Sequence, residues 1–158
     1  SFSKKSPTGV ILKNDIKEFF SNTDNVKQVD ENYNGEYSDI IVKERHEKYP
    51  KIQYPMITID EINNEDVQQY FDGTERVSYL AYQVEINCEQ SSTKTALQNV
   101  NYVGRLLDGY LKQDRYRCLR RIGDFAKSPL ASDNNVMVGY LRYECNLDVK
   151  TNTIYRRY

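Results

Sequence analysis

The chain has 158 residues, 39% of them apolar and 28% charged, from which one hydrophobic core, small relative to its surface, is expected in preference to two independent domains. A net charge of −1 argues against a dedicated nucleic-acid binder. With no apolar run near the roughly 20 residues that span a bilayer and no signal-type start, a soluble protein made in the cytoplasm is expected.

From the N-terminus, "SPTGVILKNDIKEFF" offers Ser6 as an N-cap and Pro7 at the first helical position, with Leu12, Ile16, Phe19 and Phe20 on one face. This predicts a first helix that the polar run from Asn22 to Asn25 ends. Residues 26–50 read as a hairpin or ordered arm plus a connector. Asn34-Gly35 between Tyr33 and Glu36 favours a two-residue turn, and the polar flanks predict that the hairpin projects from the domain. Pro50 and Pro55 bound the connector. "MITIDEI" then reads as a strand, and Asp72-Gly73 as a turn. "VSYLAYQVEINCE" alternates, with Leu80, Tyr82, Val84, Ile86 and Cys88 on one face and Gln83, Glu85 and Asn87 on the other.

Ser92 or Thr93 can cap a second helix, whose stripe is Leu97, Val100, Gly104, Leu107 and Leu111. Gly104 in that stripe predicts a close approach to the sheet, at a cost of about 1 kcal/mol in propensity. "YRCLRRIGDF" predicts a strand and "SPLASDNN" a loop. "VMVGYLRYECNLDV" alternates Met137, Leu141, Tyr143, Cys145, Leu147 and Val149 against Arg142, Glu144, Asn146 and Asp148, long enough to call for a bulge near Gly139. "KTNT" turns the chain into a last short strand or tail, "IYRRY". The fold class that follows is α+β, a mainly antiparallel sheet with two principal helices packed on it and a projecting hairpin, in a single domain over 1–158.

Charge is divided unevenly. Residues 1–100 carry 11 basic against 17 acidic side chains, net −6, and residues 101–158 carry 11 against 6, net +5, which suits head-to-tail association of copies or pairing within one chain. Fourteen tyrosines without a tryptophan fit either protein-protein contact or the capping of a thin core. Cys88, Cys118 and Cys145 sit singly in strand-like runs and read as reduced core thiols.

The inventory for catalysis is thin. His46 is the single histidine and lies in a charged run, so a solvated surface residue is expected. Asp60-Glu61 and Glu65-Asp66 could bind a cation, but neighbours on a strand face opposite ways. No phosphate-binding glycine loop, nucleophile elbow or C-x-x-C is found, and no cofactor or metal is expected. Arg115, Arg117 and Arg121 form a broken basic stripe if their segment is a strand, able to meet a neighbouring copy's acidic half or line a channel for DNA.

The order of helix, connector into "YPMITIDEI", alternating "YLAYQVEINCE", helix "TALQNVNYVGRLLDGYL" and closing "GYLRYECNLDVKTNTIYRRY" resembles the tail terminator and tail completion proteins of long-tailed bacteriophages. The likeness runs from Ser6 to Tyr158. It implies a structural virion protein without an active site, assembled in the host cytoplasm as a ring, commonly a hexamer. Such a ring ends polymerisation of the tail tube and joins it to the neck or head-completion protein. On this reading Tyr33, Asn34, Gly35, Tyr37, Tyr155, Arg156, Arg157 and Tyr158 are candidates for the subunit interface. Two alternatives are a neck or head-completion ring and, from another class, a small metal-dependent hydrolase or nuclease using His46, Asp60, Glu61 and Asp66. An adaptor that binds one partner through its tyrosines is a third.

Overall fold

Pro7 opens the first helix, where its missing N–H leaves no gap in the hydrogen-bond ladder, and α1 (Pro7–Ser21) buries the expected stripe Leu12, Ile16, Phe19 and Phe20. In the computed structural model of the chain, residues 7–49, 51–69, 76–113, 116, 118–148 and 153–155 are described, with backbone alone for 7–8, 63–69, 76–78, 153 and 155. After α1 the chain does not simply turn away. The Asn22 side chain accepts from the backbone N–H groups of Asp24 and Asn25 and caps a short α2 (Thr23–Lys27), which brings Val26 into the core.

The remaining elements are β1 (Ile41–Glu44), β2 (Met56–Gln69), β3 (Arg76–Cys88), α3 (Ala96–Tyr110), β4 (Arg120–Leu130), β5 (Asp133–Asp148) and β6 (Thr153–Tyr155). They form one sheet in the order β1-β2-β3-β5-β4, with β6 paired to the end of β5 beside β4. Only β1 on β2 is parallel, and every other pairing is antiparallel, so the α+β class holds. The helix α3 starts with a capping box at Thr95 and Gln98, not at Ser92 or Thr93.

One face of the sheet lies under α1 and α3. Ile57 and Ile59 of β2, Leu80, Tyr82, Val84, Ile86 and Cys88 of β3, and Leu141, Tyr143, Cys145 and Leu147 of β5 meet Val100, Val103, Leu106 and Leu107 of α3 in one core cluster. Each fully buried Leu, Ile or Val contributes about 1.5–3 kcal/mol relative to exposure. Leu97 falls outside the core at 42% exposure, because the helix buries the arc through Val103 and Leu106. Gly104 does permit a close approach, by a particular ring: a Cβ there would stand 2.5 Å from Phe125, and a Cβ at Gly139 would stand 2.5 Å from Phe125 and 2.6 Å from Val100. Phe125 of β4 thus fills a notch formed by one helical and one strand glycine.

Three expectations are corrected. Residues 28–40 form turns packed against α3, not a projecting hairpin: the apolar rings of Tyr33 and Tyr37 outweigh their polar flanks and are buried at 1% and 3% exposure. The β3–β5 register runs unbroken from Met137 to Asp148, so no bulge occurs at Gly139 on that side; irregularities lie in β2 after Glu61 and in β4 between Ile122 and Ala126. The strand expected from Tyr116 begins at Arg120 and continues through Pro129 to Leu130, so "SPL" is strand and the turn to β5 is Ala131-Ser132.

Candidate assembly surface

Alternation along β2, β3 and β5 sends every second side chain away from the helices, and the register places those side chains side by side. Asp60 stands opposite Gln83, Gln83 opposite Arg142, and Glu144 opposite both Ala81 and Arg120. A polar chain crosses the open face. Arg45 Nη1 lies 2.8 Å from Glu85 Oε2 and 3.8 Å from Asp60 Oδ2. Gln83 Nε2 donates to the same Glu85 oxygen at 3.3 Å, and Arg142 Nε donates to Gln83 Oε1 at 2.9 Å. Further along, the Tyr79 hydroxyl donates to Glu144 Oε2 at 2.9 Å, with Arg120 Nη1 at 3.8 Å from the other oxygen. The arginines of these pairs are exposed while Glu85 and Glu144 are largely buried, so the chain holds its side chains in fixed directions.

The eleven residues of β4 form the sheet's edge; eight are exposed, and Ile122, Phe125 and Leu130 are half-buried. The bulge between Ile122 and Ala126, positive-φ Gly123 (φ 73°), Lys127 and Pro129 interrupt that edge, the means by which natural sheets discourage indiscriminate strand addition. Beside the bulge the open face sinks into a cleft of about 470 Å³ between Gln83, Ile122, Asp124, Tyr140 and Arg142.

The residues proposed from sequence are dispersed. Tyr33 and Tyr37 are corrected from interface to core: their rings lie 6.2 Å apart, Tyr37 packs edge-on to Tyr102 at 5.7 Å, and its hydroxyl donates to buried Asn99 Oδ1 at 2.7 Å. Burial raises both phenol pKa values above the ordinary range. Asn34 is exposed and accepts from the Glu36 N–H, and Gly35 takes the positive φ of 87° that the dipeptide suggested, next to Thr23. Tyr155 pairs through its backbone with Asn146, while Arg156, Arg157 and Tyr158 lie outside the described residues. So do Arg115 and Arg117. Arg121 faces the helix side, 3.5 Å from Asp108 Oδ2. β4 starts at Arg120, so the stripe expected of Arg115, Arg117 and Arg121 lies in part outside the described residues.

The hydrolase alternative gains a partial juxtaposition. Glu44, His46, Asp60 and Glu61 line a cleft of about 440 Å³ with Gly9 and Tyr82. His46 is 62% exposed, with Nε2 3.7 Å from Glu44 Oε2. The Asp66 side chain lies outside the described residues, and among the described residues no three His, Cys, Asp or Glu side chains are grouped to hold a metal. Burial pushes the Cys88 and Cys145 thiols up to about 12 and raises that of Cys118, which leaves them as unreactive thiols at neutral pH. Among the described residues no helix is long and apolar enough to cross a membrane.

Sequence reasoning recognised the polar phases of β3 and β5 but missed the link between Arg142, Gln83, Glu85 and Arg45. Alternation was the available signal; the cross-strand register was absent from it. No protein-family model matches the chain, and a search of curated proteins finds no significant match.

Proposed function

We propose that the chain is a structural subunit of a ring that caps a bacteriophage tail tube, stops its growth and joins it to the head or neck. The observation that carries this reading is the two-sided sheet. One face is sealed by α1 and α3, while the other presents an oriented polar chain and a cleft beside an interrupted edge strand. A surface with fixed side-chain directions suits protein-protein contact, and an interrupted edge favours contact through faces over unlimited strand addition. The order of elements adds the likeness to tail terminators. Partners on this reading are further copies of the chain, the tail tube protein, a neck or head-completion protein, and DNA passing through the ring without sequence recognition; the location is the head-proximal end of the virion tail.

Sedimentation of the full chain at rising concentration, alone and with purified tail tubes, tests the reading. A discrete multiple that co-sediments with tubes is expected, and a chain that stays monomeric in both conditions overturns it. Preference for DNA-filled heads over tubes would assign the ring to the neck. The cleft at His46, Asp60 and Glu61 supports the second reading, a metal-dependent hydrolase: divalent-dependent nuclease activity that disappears in Asp60→Ala and Glu61→Ala would replace the structural role.

A further inference from the structure

Resting on the ring reading, we propose that Arg142 receives the acidic segment Asp24–Asp39 of a second copy of this chain, so that neighbouring subunits join helix layer to open sheet face. Among the described arginine side chains Arg45, Arg105, Arg120 and Arg121 each have a carboxylate at 3.8 Å or closer. Arg142 does not. Its Nε is held by Gln83 Oε1 at 2.9 Å, which orients the guanidinium, and its Nη donors form the fork that binds a carboxylate bidentately. The side chain is exposed at the rim of the cleft, with the half-buried Tyr140 and Ile122 beside it. Asp124, on the same rim, forms no ion pair with it.

The matching carboxylates belong to the segment that packs on α3, in the layer covering the other face of the sheet. Asp30 and Glu36 are engaged by Arg105 and Lys94, but Asp24, Glu31 and Asp39 are exposed and form no ion pair among the described residues. Their segment is fixed to α3 through the contacts of Tyr33 and Tyr37 with Tyr102 and the Tyr37–Asn99 hydrogen bond. Arg142 alternates with Leu141 and Tyr143, whose side chains enter the helix-covered core, so it points the opposite way. Complementary groups on opposite faces cannot satisfy each other within one chain, nor across a two-fold axis that pairs like surfaces. They define a heterologous contact, which closes a ring when the rotation permits.

Two variants each block one side: Arg142→Glu on the sheet face, and Glu31→Lys with Asp39→Lys on the helix layer. Sedimentation with and without tail tubes should find each alone monomeric, with association weakened at least about tenfold. Mixed in equal amounts they meet alternately through one native and one charge-reversed pair, both complementary, so association should return, which also shows that both are folded. Wild-type rings with Arg142→Glu rings unchanged, or variants that stay apart when mixed, overturn this contact and leave the ring reading standing. A wild-type chain that never assembles overturns both.

Discussion

The two faces of the sheet use the same strands and reach opposite results. On the helix side, Leu141, Tyr143 and Cys145 of β5 lie in a dry core with α3, where each side chain is held by volume and apolar burial. On the open side, the residues between them, Arg142 and Glu144, are held by direction, through hydrogen bonds to Gln83 and Tyr79. The first face makes the fold stable; the second gives an already stable fold a specific exterior. A substitution on one face should therefore change stability and leave association alone, and a substitution on the other should do the reverse.

The sharpest test of that division is Ile86→Ala, fully buried in β3, which should lower unfolding free energy by about 2–5 kcal/mol through lost transfer and a cavity, read by urea denaturation. Gly139→Ala comes next. Its Cβ would clash with Phe125 and Val100, costing about 1–3 kcal/mol by overpacking; pairing it with Phe125→Leu should recover part of the loss. Tyr37→Phe leaves the buried Asn99 carbonyl without its 2.7 Å donor and should cost about 1–3 kcal/mol, where an exposed tyrosine would show nothing.

Titration gives a smaller effect. Burial and the hydrogen bond to Asp30 push the Tyr102 hydroxyl from 10.0 up to about 12. The folded state thus holds its proton after the unfolded chain has released one. That stability is fully present below pH 10 and declines as pH rises through about 12, so alkaline unfolding should move to higher pH in Tyr102→Phe. Smallest of all, Arg142→Ala should change unfolding free energy by less than about 0.5 kcal/mol, measured by the same denaturation.

Legibility from sequence followed the range of the forces. The stripe of α1, the alternation of β3 and β5 and the positive φ of Gly35 were readable because each is a local pattern of period 3.6, period 2 or backbone conformation. The fate of Tyr33 and Tyr37 was not, since a polar neighbourhood suggested exposure and only α3, more than sixty residues away, supplies the ring and the buried amide that receive them. Likewise nothing near Arg121 in the chain showed that it would turn to the helix side and meet Asp108 of α3.

The sequence alone determined the class of fold, the apolar phases of α1, β3 and β5 and the separation of negative and positive charge along the chain, because covalent order and side-chain chemistry suffice for these. Tertiary structure decided which strands are neighbours, that Phe125 would occupy the space left by Gly104 and Gly139, and that Arg142 would stand on the open sheet face while the segment of Tyr33 and Tyr37 packs on α3. Those outcomes depend on register and on volume shared between distant segments, and neither is encoded within any single stretch of chain.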